Sequence, residues 1–426
     1  MGHVSENLEH VDVLVVGAGP SGSAAAIHAA QEGYSVLLVD AASFPRDKTC
    51  GDGLTPRAIH QLRRLGVAER VTADYTNNGL KLHGFGGSVT APWPDGHFGT
   101  VGSAMPRTLF DALLVDAAVE RGAVLWSNAP AVDVEFDGAR LSRVTVRRGG
   151  VDTQVSPKWV IVADGVRSPF GKLLGRQWHR GEVYGIAARS YCSSPYSAEP
   201  WIHSHVELKD ADGVVQPGYG WIFPLGDGDV NLGCGALSTD ARPAKVNTRK
   251  LLEFYASRQR TEWELGQPRD IASAMLPMGG AVSNVAGRNW LIIGDAAACV
   301  NPLNGEGIDY GLETAELAVG LIGAQGRDLT LVWPHVLREH YGEAFLLART
   351  AARLLTYPKF LPLVGPLGLR GPVGAMLMPA AARLMGNLVT DGDRDLMARL
   401  WRAAGRGVSQ VRAGSPLWST GQLSPA

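Results

Sequence analysis

The sequence predicts an α/β protein organised around a parallel β-sheet, and three features near its N-terminus support that prediction. Residues 11–16 form a largely apolar run of the kind found in buried parallel strands. The glycine pattern G-x-G-x-x-G begins directly afterwards at Gly17, and residues 23–31 have the composition of a helix. A second apolar strand at 36–39 completes a strand–turn–helix–strand unit of about 30 residues.

The glycines of this unit indicate a binding site for a dinucleotide. Gly17 permits a tight turn, Gly19 lets a pyrophosphate approach the backbone, and Gly22 lets the helix pack closely against the strand. The N-terminus of that helix directs its amide groups at the phosphates. The second strand ends in Asp40, where a carboxylate is needed to hold a ribose hydroxyl. The cofactor-binding residues predicted from this unit are Gly17, Gly19, Pro20, Ser21, Gly22 and Asp40.

Length, composition and charge are typical of a globular protein with two or three domains. The chain has 426 residues, 45% of them hydrophobic and 19% charged, which allows a sizeable core. A net charge of −1 argues against a general nucleic-acid binder. The N-terminal stretch has no basic region and no cleavage site, so we expect no signal peptide. Scattered cysteines favour reduced thiols in the cytoplasm, and they are Cys50, Cys192, Cys234 and Cys299.

The C-terminal part of the chain differs from the rest in charge. Residues 331–426 contain eleven Lys or Arg and five Asp or Glu, a net charge of +6, so the remainder carries −7. This segment is either a surface for a membrane or another anionic partner, or an ordinary solvated helical face. Within it, residues 360–385 are apolar but interrupted by prolines and Arg370, so we expect no transmembrane helix. They form either a kinked cap on the core or a monotopic contact at the inner face of the cell membrane.

Two motifs far downstream decide which dinucleotide is expected. A strand predicted at 159–163 leads into Asp164 and Gly165, and a strand predicted at 290–293 leads into Asp295. The run GEGI at 305–308 then precedes a long helix. In this order the motifs resemble the second and third fingerprints of flavoprotein hydroxylases. The resemblance implies FAD, with Asp295 on the ribityl chain and a helix N-terminus directed at the flavin ring. It also implies cofactor contacts for Asp164, Gly165, Gly305, Gly307 and Ile308.

The stretch PRDKTCGDGL follows the second strand and runs from the adenosine end of the site towards the flavin. It resembles the P-x-x-K-x-C-G-D signature of the geranylgeranyl reductase family. The match covers Pro45, Lys48, Cys50, Gly51 and Asp52. The resemblance implies that Cys50 and Gly51 lie near the isoalloxazine ring. The thiol is then either a buried spacer beneath the ring or a weak acid that donates a proton.

A second mark of the same family is the stretch GYGWIFPLGDGDVNLGCG, which resembles its Y-x-W-x-F-P…G-x-G motif. Tyr219, Trp221 and Phe223 alternate along a predicted strand, so their rings share one face. Three rings on one face form an apolar wall that suits an unsaturated hydrocarbon chain, although an ordinary packing face is the alternative. The substrate-binding residues implied are Tyr219, Trp221, Phe223, Pro224, Gly233 and Gly235.

Two further features are less specific. Arg107 precedes a predicted amphipathic helix and matches an arginine that contacts FAD in the flavoprotein relatives, while an exposed arginine at a helix start is the alternative. His203 and His205 form a pair on a predicted strand face. No third ligand lies near them in the sequence, so we expect no metal site.

The motifs predict a discontinuous domain organisation. A Rossmann-like FAD-binding domain of the flavoprotein hydroxylase type is expected at 1–78, 105–180 and 280–330. An inserted mixed-sheet domain for the substrate is expected at 79–104 and 181–279, and a helical C-terminal segment at 331–426.

The resemblance implies an FAD-dependent oxidoreductase that saturates C=C bonds of an isoprenoid chain. Hydride from N5 of reduced FAD and a proton from an acid would add across the bond, while the apolar wall holds the alkene and excludes water. The whole-chain pattern is most similar to bacterial members that saturate one isoprene unit of the menaquinone side chain; geranylgeranyl and polyprenyl lipids are related substrates. Electrons come either from transient NAD(P)H binding or from a protein donor.

Other activities share the three FAD fingerprints and stay open at this point. A flavin-dependent halogenase is expected to carry W-x-W-x-I-P and a lysine near the substrate, whereas the strand here reads YGWIFP. A monooxygenase acting on an aromatic natural product is a further alternative. The non-catalytic alternative is an FAD protein that stores or presents a prenyl lipid.

Overall fold

The computed structural model describes residues 8–323, 328–357, 359–369, 383–384, 388–389, 393, 396–411 and 416–419, which form two large β-sheets and a set of helices. Arg370 and most of the apolar stretch that follows it lie outside these residues. In chain order the strands are β1 (Leu8–Val16), β2 (Val36–Val39), β3 (Gly53–Leu54), β4 (Gly79–Gly84), β5 (Gly87–Pro92), β6 (Ser103–Ala104), β7 (Val124–Trp126), β8 (Ala131–Asp137), β9 (Arg140–Arg148), β10 (Val151–Val162), β11 (Gln177–Trp178), β12 (Tyr184–Ser193), β13 (Ile202–His205), β14 (Gly218–Pro224), β15 (Asp229–Ser238), β16 (Arg269–Pro277), β17 (Val282–Ser283), β18 (Ala286–Gly287) and β19 (Trp290–Ile292). The helices up to residue 369 are α1 (Pro20–Gln31), α2 (Pro56–Arg64), α3 (Ala68–Thr72), α4 (Arg107–Glu120), α5 (Pro169–Leu173), α6 (Thr248–Gln259), α7 (Ile308–Ile322), α8 (Leu329–Leu355) and α9 (Phe360–Leu369).

The first sheet contains the glycine unit and has the predicted parallel core. Strands β19, β10, β1, β2 and β7 lie side by side in that order and run parallel. The hairpin of β8 and β9 extends this sheet through β10. Val13 to Val15 on β1 are fully buried because helices cover this part of the sheet, as an apolar parallel strand requires. The carboxyl ends of these strands meet at one edge, where a ligand site is expected.

Two predicted boundaries in this sheet were wrong. Helix α1 begins at Pro20 rather than at residue 23, because Gly19 is its N-cap and a proline is well suited to the first helical turn. Strand β10 begins at Val151 rather than at 159, because its first half pairs with β9 in a hairpin. The sequence of that half is polar and therefore carries no signal of a buried parallel strand.

The second sheet has seven strands in the order β16-β12-β15-β14-β13-β4-β5. All its neighbouring pairs are antiparallel except β13 and β4, which run parallel. Helix α6 packs on one face through Leu251, Leu252 and Tyr255. The opposite face is turned towards the carboxyl edge of the first sheet, so that a cavity forms between the two sheets.

The C-terminal part is helical where it is described, and the predicted fold class is confirmed. Helix α8 packs on β18 and β19, and a C-terminal helix, Leu396–Val411, packs along α8. Beyond it the chain returns to the first sheet, where Trp418 is fully buried and donates a hydrogen bond from its indole to the Ala297 carbonyl at 2.7 Å. Among the described helices, none is both long and apolar enough to span a bilayer.

Candidate functional site

The glycine unit forms a tight turn between β1 and α1. Gly17 has φ of +103°, and a β-carbon there would lie 2.4 Å from the carbonyl oxygen of Ala163, the residue after β10. A β-carbon on Gly22 would lie 1.7 Å from the Gly17 carbonyl oxygen, so any side chain there would separate helix from turn. Ser21 fits between Gly294 and Gly311, where added β-carbons would meet its hydroxyl at 2.2 and 2.4 Å. These contacts hold the N-terminus of α1 directly over the strand edge.

Asp40 is anchored at the end of β2 beside this turn. Its carboxylate accepts hydrogen bonds from the backbone N–H of Ala18 at 2.7 Å and of Ala42 at 2.8 Å. The guanidinium of Arg46 lies 3.8 Å away. The carboxylate is thereby fixed at the position where the adenosine ribose of a dinucleotide lies in such folds.

Two arginines surround the N-terminus of α1. A β-carbon on Gly19 would lie 3.4 Å from the guanidinium of Arg46 and 3.9 Å from that of Arg107. The carboxylate of Asp111, fully buried on α4, binds Arg46 at 3.1 Å and Arg107 at 2.6 and 2.8 Å. Two cations therefore share one acid next to a helix N-terminus, which leaves a positive site suited to a pyrophosphate. Neither Arg46 nor Asp111 is among the site residues predicted from the sequence.

Further charged groups lie towards the other end of the site. A β-carbon on Gly307 would come within 2.9 Å of the Asp295 carboxylate, so glycine lets the start of α7 approach that acid. Burial raises the pKa of Asp295, and the nearby charge of Lys48 opposes this shift. Burial in turn lowers the pKa of Lys48, whose ammonium would lie 3.3 Å from a β-carbon on Gly165. Lys48 of the C-G-D signature therefore lies near Gly165 of the second fingerprint and interacts with the charge of Asp295 in the third.

Asp164 has a local role in the structure. Its carboxylate accepts hydrogen bonds from the Ser168 hydroxyl at 2.6 Å and from the Phe170 N–H at 2.8 Å, and so holds the first turn of α5. Its neighbour Gly165 has φ of +75°, a conformation that favours glycine.

A cavity of about 520 Å³ extends from this charged region across the second sheet. One end is formed by Cys50 to Thr55, by Arg107 and Asp295, and by the turn at 304–308. The remainder is mainly apolar and follows the inward side chains of successive strands of the second sheet. Those side chains include Ala187, Tyr219, Trp221, Phe223, Ile202, Leu80 and Leu82, with Leu361 and Leu369 of α9 above them.

The three aromatic rings of β14 lie on the cavity face, as the alternation predicts. The ring centroids of Tyr219 and Trp221 are 6.0 Å apart, and those of Trp221 and Phe223 are 6.2 Å apart. The Tyr219 hydroxyl donates to the Asn304 carbonyl, which ties the second sheet to the turn before α7. A β-carbon on Gly51 would lie 3.1 Å from the Phe223 ring, so the C-G-D loop rests on the same wall.

The strand register explains why the G-x-G motif contains glycines. Gly233 pairs with Trp221 across β14 and β15, and a β-carbon on it would lie 2.1 Å from the indole ring. The indole therefore lies flat over Gly233, while Gly235, opposite Tyr219, lines the cavity itself. Gly233 and Pro224 were both assigned to the substrate from the sequence, yet Gly233 lies behind the indole and Pro224 at the strand end, away from the cavity wall.

A polar network beside this wall was missed in the sequence. Asn231 donates one amide hydrogen bond to the Cys50 carbonyl at 2.9 Å and one to Asp52 at 2.8 Å, and accepts one from the Trp221 indole at 2.9 Å. The Tyr191 hydroxyl donates to Asp52 at 2.7 Å. Asn231 stands two residues before Gly233, so the same alternation that placed the aromatic rings could have placed it on the cavity face.

Burial changes the acidity of both side chains in the C-G-D loop. It raises the pKa of the Cys50 thiol to about 11, and the Cys50 sulfur accepts a hydrogen bond from the Asp52 N–H at 3.4 Å. It raises the pKa of Asp52 to about 6, against the opposing hydrogen bonds from Tyr191 and Asn231. The cavity thus contains two groups that are neutral or partly neutral near pH 7.

The predicted histidine pair has a third member. His203 and His205 lie on the face of β13 that is turned away from the cavity, and His83 on the parallel strand β4 stacks between them. His83 Nε2 and His203 Nδ1 are 3.0 Å apart, a hydrogen-bond distance. The sequence does not reveal this third imidazole, because β4 is distant from β13 along the chain. Among the residues that the structure describes, no group of three or more His, Cys, Asp or Glu side chains is arranged so that it could hold a metal ion.

The residues present fit FAD. Glycines at 17, 19 and 22 form a cradle that β-carbons would fill, with two guanidinium groups over it. At the far end, Glu306 Oε1 is buried and has no hydrogen-bond partner among the described residues, as expected where a polar ring system is to be received.

Comparisons with known proteins agree with this geometry. Residues 10–324 match a family model described as an FAD binding domain. The chain is 53% identical over 399 residues to a menaquinone reductase of Mycobacterium tuberculosis, covering 93% of this chain and 96% of that protein. It is 32% identical to digeranylgeranylglycerophospholipid reductase 2 of Methanosphaera stadtmanae, over 74% of this chain and 78% of that protein.

A solved structure shows the same fold at lower identity. The geranylgeranyl bacteriochlorophyll reductase-like protein of Thermoplasma acidophilum superposes with a TM-score of 0.70 and 20% identity, covering 96% of this chain and 99% of that one. The family model and the sequence matches show that the chain belongs to the FAD-binding flavoproteins, and within them to the geranylgeranyl reductase family that includes the menaquinone reductases.

Proposed function

We propose that the protein is an FAD-dependent reductase that saturates C=C bonds of an isoprenoid chain, with the side chain of menaquinone or a related polyprenyl lipid as substrate. The observation that carries this proposal is the continuous cavity between the two sheets. Its charged end suits FAD, and its long apolar part offers a hydrocarbon chain contact without hydrogen bonds. The names of the similar proteins favour the same substrate class.

FAD bound at the charged end supplies the hydride that a C=C bond needs for its reduction. The protein positions the alkene and excludes water from it. Tyr219, Trp221 and Phe223 form a rigid wall that holds the alkene, and the surrounding Leu, Ile and Val side chains exclude water. An isolated alkene is a poor electrophile, so this positioning is the main contribution expected from the wall.

We propose that Cys50 belongs to the reacting end as an uncharged contact. Its raised pKa keeps the thiol protonated at neutral pH, and its sulfur faces the cavity beside Gly51. We propose further that the regions 79–104 and 181–279 form the substrate domain. The first sheet and its helices, within 1–78, 105–180 and 280–330, are proposed to hold FAD. Region 331–426 is proposed as the helical C-terminal segment, whose helix α9 covers the cavity.

We also propose a peripheral contact with the inner face of the cell membrane. The end of α8 and the start of α9 expose Leu354, Tyr357 and Leu363, while Leu355 and Leu361 of the same helices line the cavity. A single layer of helices would therefore separate the bilayer from the cavity, and a lipid chain would have only this layer to cross. Transient NAD(P)H or a protein donor remains the proposed source of electrons.

Mass spectrometry of lipids tests the proposed function. Cells that contain the protein are expected to hold quinone or polyprenyl lipids heavier by two hydrogen atoms than those of cells that lack it. Purified protein with reduced FAD should make the same product from an added polyprenyl quinone. An unchanged lipid profile together with no product in vitro would reject the reductase, and an oxygenated or halogenated product would favour the alternative activities.

A further inference from the structure

The carboxyl group of Asp52 is held in the cavity wall by a fixed backbone and two donors. Asp52 is 1% exposed and has φ of +64°, at the start of the short pairing between β3 and β6. Its Oδ2 accepts from the Tyr191 hydroxyl at 2.7 Å and from the Asn231 amide at 2.8 Å. Tyr191 and Asn231 are cross-strand partners on β12 and β15, so both donors come from the rigid second sheet.

The other oxygen of this carboxyl group has no hydrogen-bond partner among the residues that the structure describes. Asp52 Oδ1 is buried, and Asp52 lines the cavity next to Cys50, Gly51 and Phe223. When the group is protonated, the proton belongs on Oδ1, because two donors already occupy Oδ2. This buried O–H group then borders the place where the alkene is expected.

The surroundings set the acidity of this group near neutrality. Burial raises its pKa to about 6, while Tyr191 and Asn231 act against the shift through hydrogen bonds and Arg107 and Arg189 through their charge. Arg189 is itself paired with the carboxylate of Asp47, and Arg107 with that of Asp111. A hydrocarbon chain that fills the cavity removes the remaining solvent and favours the neutral, protonated form further.

We propose that Asp52 is the acid that protonates the alkene, with Tyr191 and Asn231 as its positioning residues. This inference rests on the proposed function. The π bond breaks, one carbon takes the hydride already required for the reduction, and the other forms a C–H bond with the proton from Oδ1. Asp52 is left as a carboxylate, stabilised by the Tyr191 and Asn231 donors, and takes a proton back from solvent before the next turnover.

Cys50 is the competing acid in the same wall. Burial raises its pKa to about 11 although Arg107 and the Asp52 N–H both stabilise the thiolate, so the thiol is far less acidic than Asp52. The carboxylate that Asp52 leaves after the transfer is held by two side-chain donors of the second sheet. Proton transfer by a positioned group is most effective when its pKa lies near the working pH.

Matched variants separate the two acids. Asp52→Asn keeps the shape and an acceptor for both donors, and is expected to lower turnover about 10²–10⁴-fold with unchanged FAD content. Asp74→Asn, the same change at an exposed site, should behave as wild type. Cys50→Ala should retain the wild-type pH profile. Full turnover by Asp52→Asn, or loss of the basic limb of the pH profile in Cys50→Ala alone, would overturn the proposal.

A pH shift tests the positioning residues. Activity requires protonated Asp52, so the rate falls as pH rises through its pKa. Tyr191→Phe removes a donor that stabilises the carboxylate, so it should move this fall to higher pH while FAD content stays constant. A Tyr191→Phe profile that coincides with wild type, or moves to lower pH, would contradict the assignment.

Infrared spectroscopy provides a readout that is independent of turnover. In purified wild-type protein without substrate, a carboxylic acid C=O band should titrate near pH 6, be absent in Asp52→Asn and move to higher pH in Tyr191→Phe. A polyprenyl quinone should strengthen the band at neutral pH. If the band is present but the wild type forms no saturated product, the proposed function fails; if product forms but no such band exists, the acid assignment fails.

Discussion

Gly233 carries no side chain, and the indole of Trp221 occupies the space that its β-carbon would need. The position of this ring thus depends on a residue across the strand pair as much as on the tryptophan itself. Asn231 then holds the indole nitrogen in place. At the residue scale, the wall of the cavity is a set of cross-strand pairs rather than a row of aromatic rings.

Gly233→Ala is therefore expected to displace the Trp221 ring. The added methyl group would lie 2.1 Å from the indole, which should cost about 1–3 kcal/mol of stability and weaken substrate binding without loss of FAD. Gly235→Ala is the matched control for the loss of stability, because the nearest atom there is 3.5 Å away. Denaturant unfolding and the KM for a polyprenyl quinone measure both effects. Equal behaviour of the two variants would remove the special role of Gly233.

Asp295→Ala should release FAD. The carboxylate lies against Gly307 at the start of α7 and is surrounded by the positive charges of Lys48, Arg107 and Arg176. Its removal leaves those cations without their counter-charge in the cofactor site. The ratio of flavin absorbance to protein after gel filtration reports the loss. A variant that purifies with full flavin content would speak against the third fingerprint.

The residues that the sequence identified are those with a local pattern. Gly17, Gly19 and Gly22 are recognisable because one turn needs all three within a few residues. Tyr191 and Asn231 lie 139 and 179 positions after Asp52, so no short spacing in the sequence links the three residues. They come together only when the strands pair. Their proximity follows from the register of the paired strands, which a single sequence does not reveal.

At the scale of elements, β13 and β4 bring three histidines together on the outer face of the second sheet. Burial and the neighbouring charge of His83 lower the pKa of His203 to about 2 and of His205 to about 3. The Tyr255 hydroxyl and His205 Nδ1 are 2.6 Å apart, so helix α6 is tied to the same cluster. The cluster is compatible with the fold only while its rings are neutral.

The histidine cluster should make the protein less stable in acid. The unfolded chain binds protons below about pH 6.5 and the folded cluster does not, so stability is complete above that pH and falls as pH decreases. Each such histidine contributes a slope of up to about 1.4 kcal/mol per pH unit. His203→Gln should flatten the dependence of unfolding free energy on pH between 7.5 and 5, whereas His335→Gln, at an exposed site, should leave it unchanged. Parallel curves for wild type and His203→Gln would refute this.

At the scale of the whole molecule, one ion pair connects the two sheets beside the cavity. Arg189 of β12 is fully buried and binds the carboxylate of Asp47, in the loop that leads to the C-G-D signature. It also donates to the Asp270 carbonyl. Together with the hydrogen bond from Tyr219 to Asn304, this fixes the substrate wall relative to the FAD site.

Asp47→Asn should therefore loosen this connection. A buried guanidinium that loses its charged partner is expected to cost about 2 kcal/mol, a moderate value because Asp47 itself is half exposed. Denaturant unfolding measures the loss. The exposed pair of Arg147 and Asp152 offers a control, in which Asp152→Asn should leave the unfolding free energy nearly unchanged, because solvent screens that pair. A smaller effect at Asp47 than at Asp152 would mean that the ion pair contributes nothing to the assembly of the two sheets.

The overall architecture could be predicted because each fingerprint occupies its own strand–turn–helix unit, and three units in order define the sheet. The FAD assignment followed from that order. The way the chain closes the cavity could not be predicted, since α9 has an apolar composition compatible with either a core or a membrane. Trp418, which packs back on Ala297, had no sequence signal at all.

The cavity wall passes over several neighbouring strands, and only β14 carries the three rings. Leu80, Leu82 and Ile202, on β4 and β13, contribute to the stretch farther along the sheet. Bulkier or smaller residues at those positions would shorten or lengthen the room for the tail of a ligand, while the redox centre stays as it is. The residues that limit the length of a bound chain are thus different from those at the redox centre. Substitutions at the former can change the accepted chain length without changing the reaction.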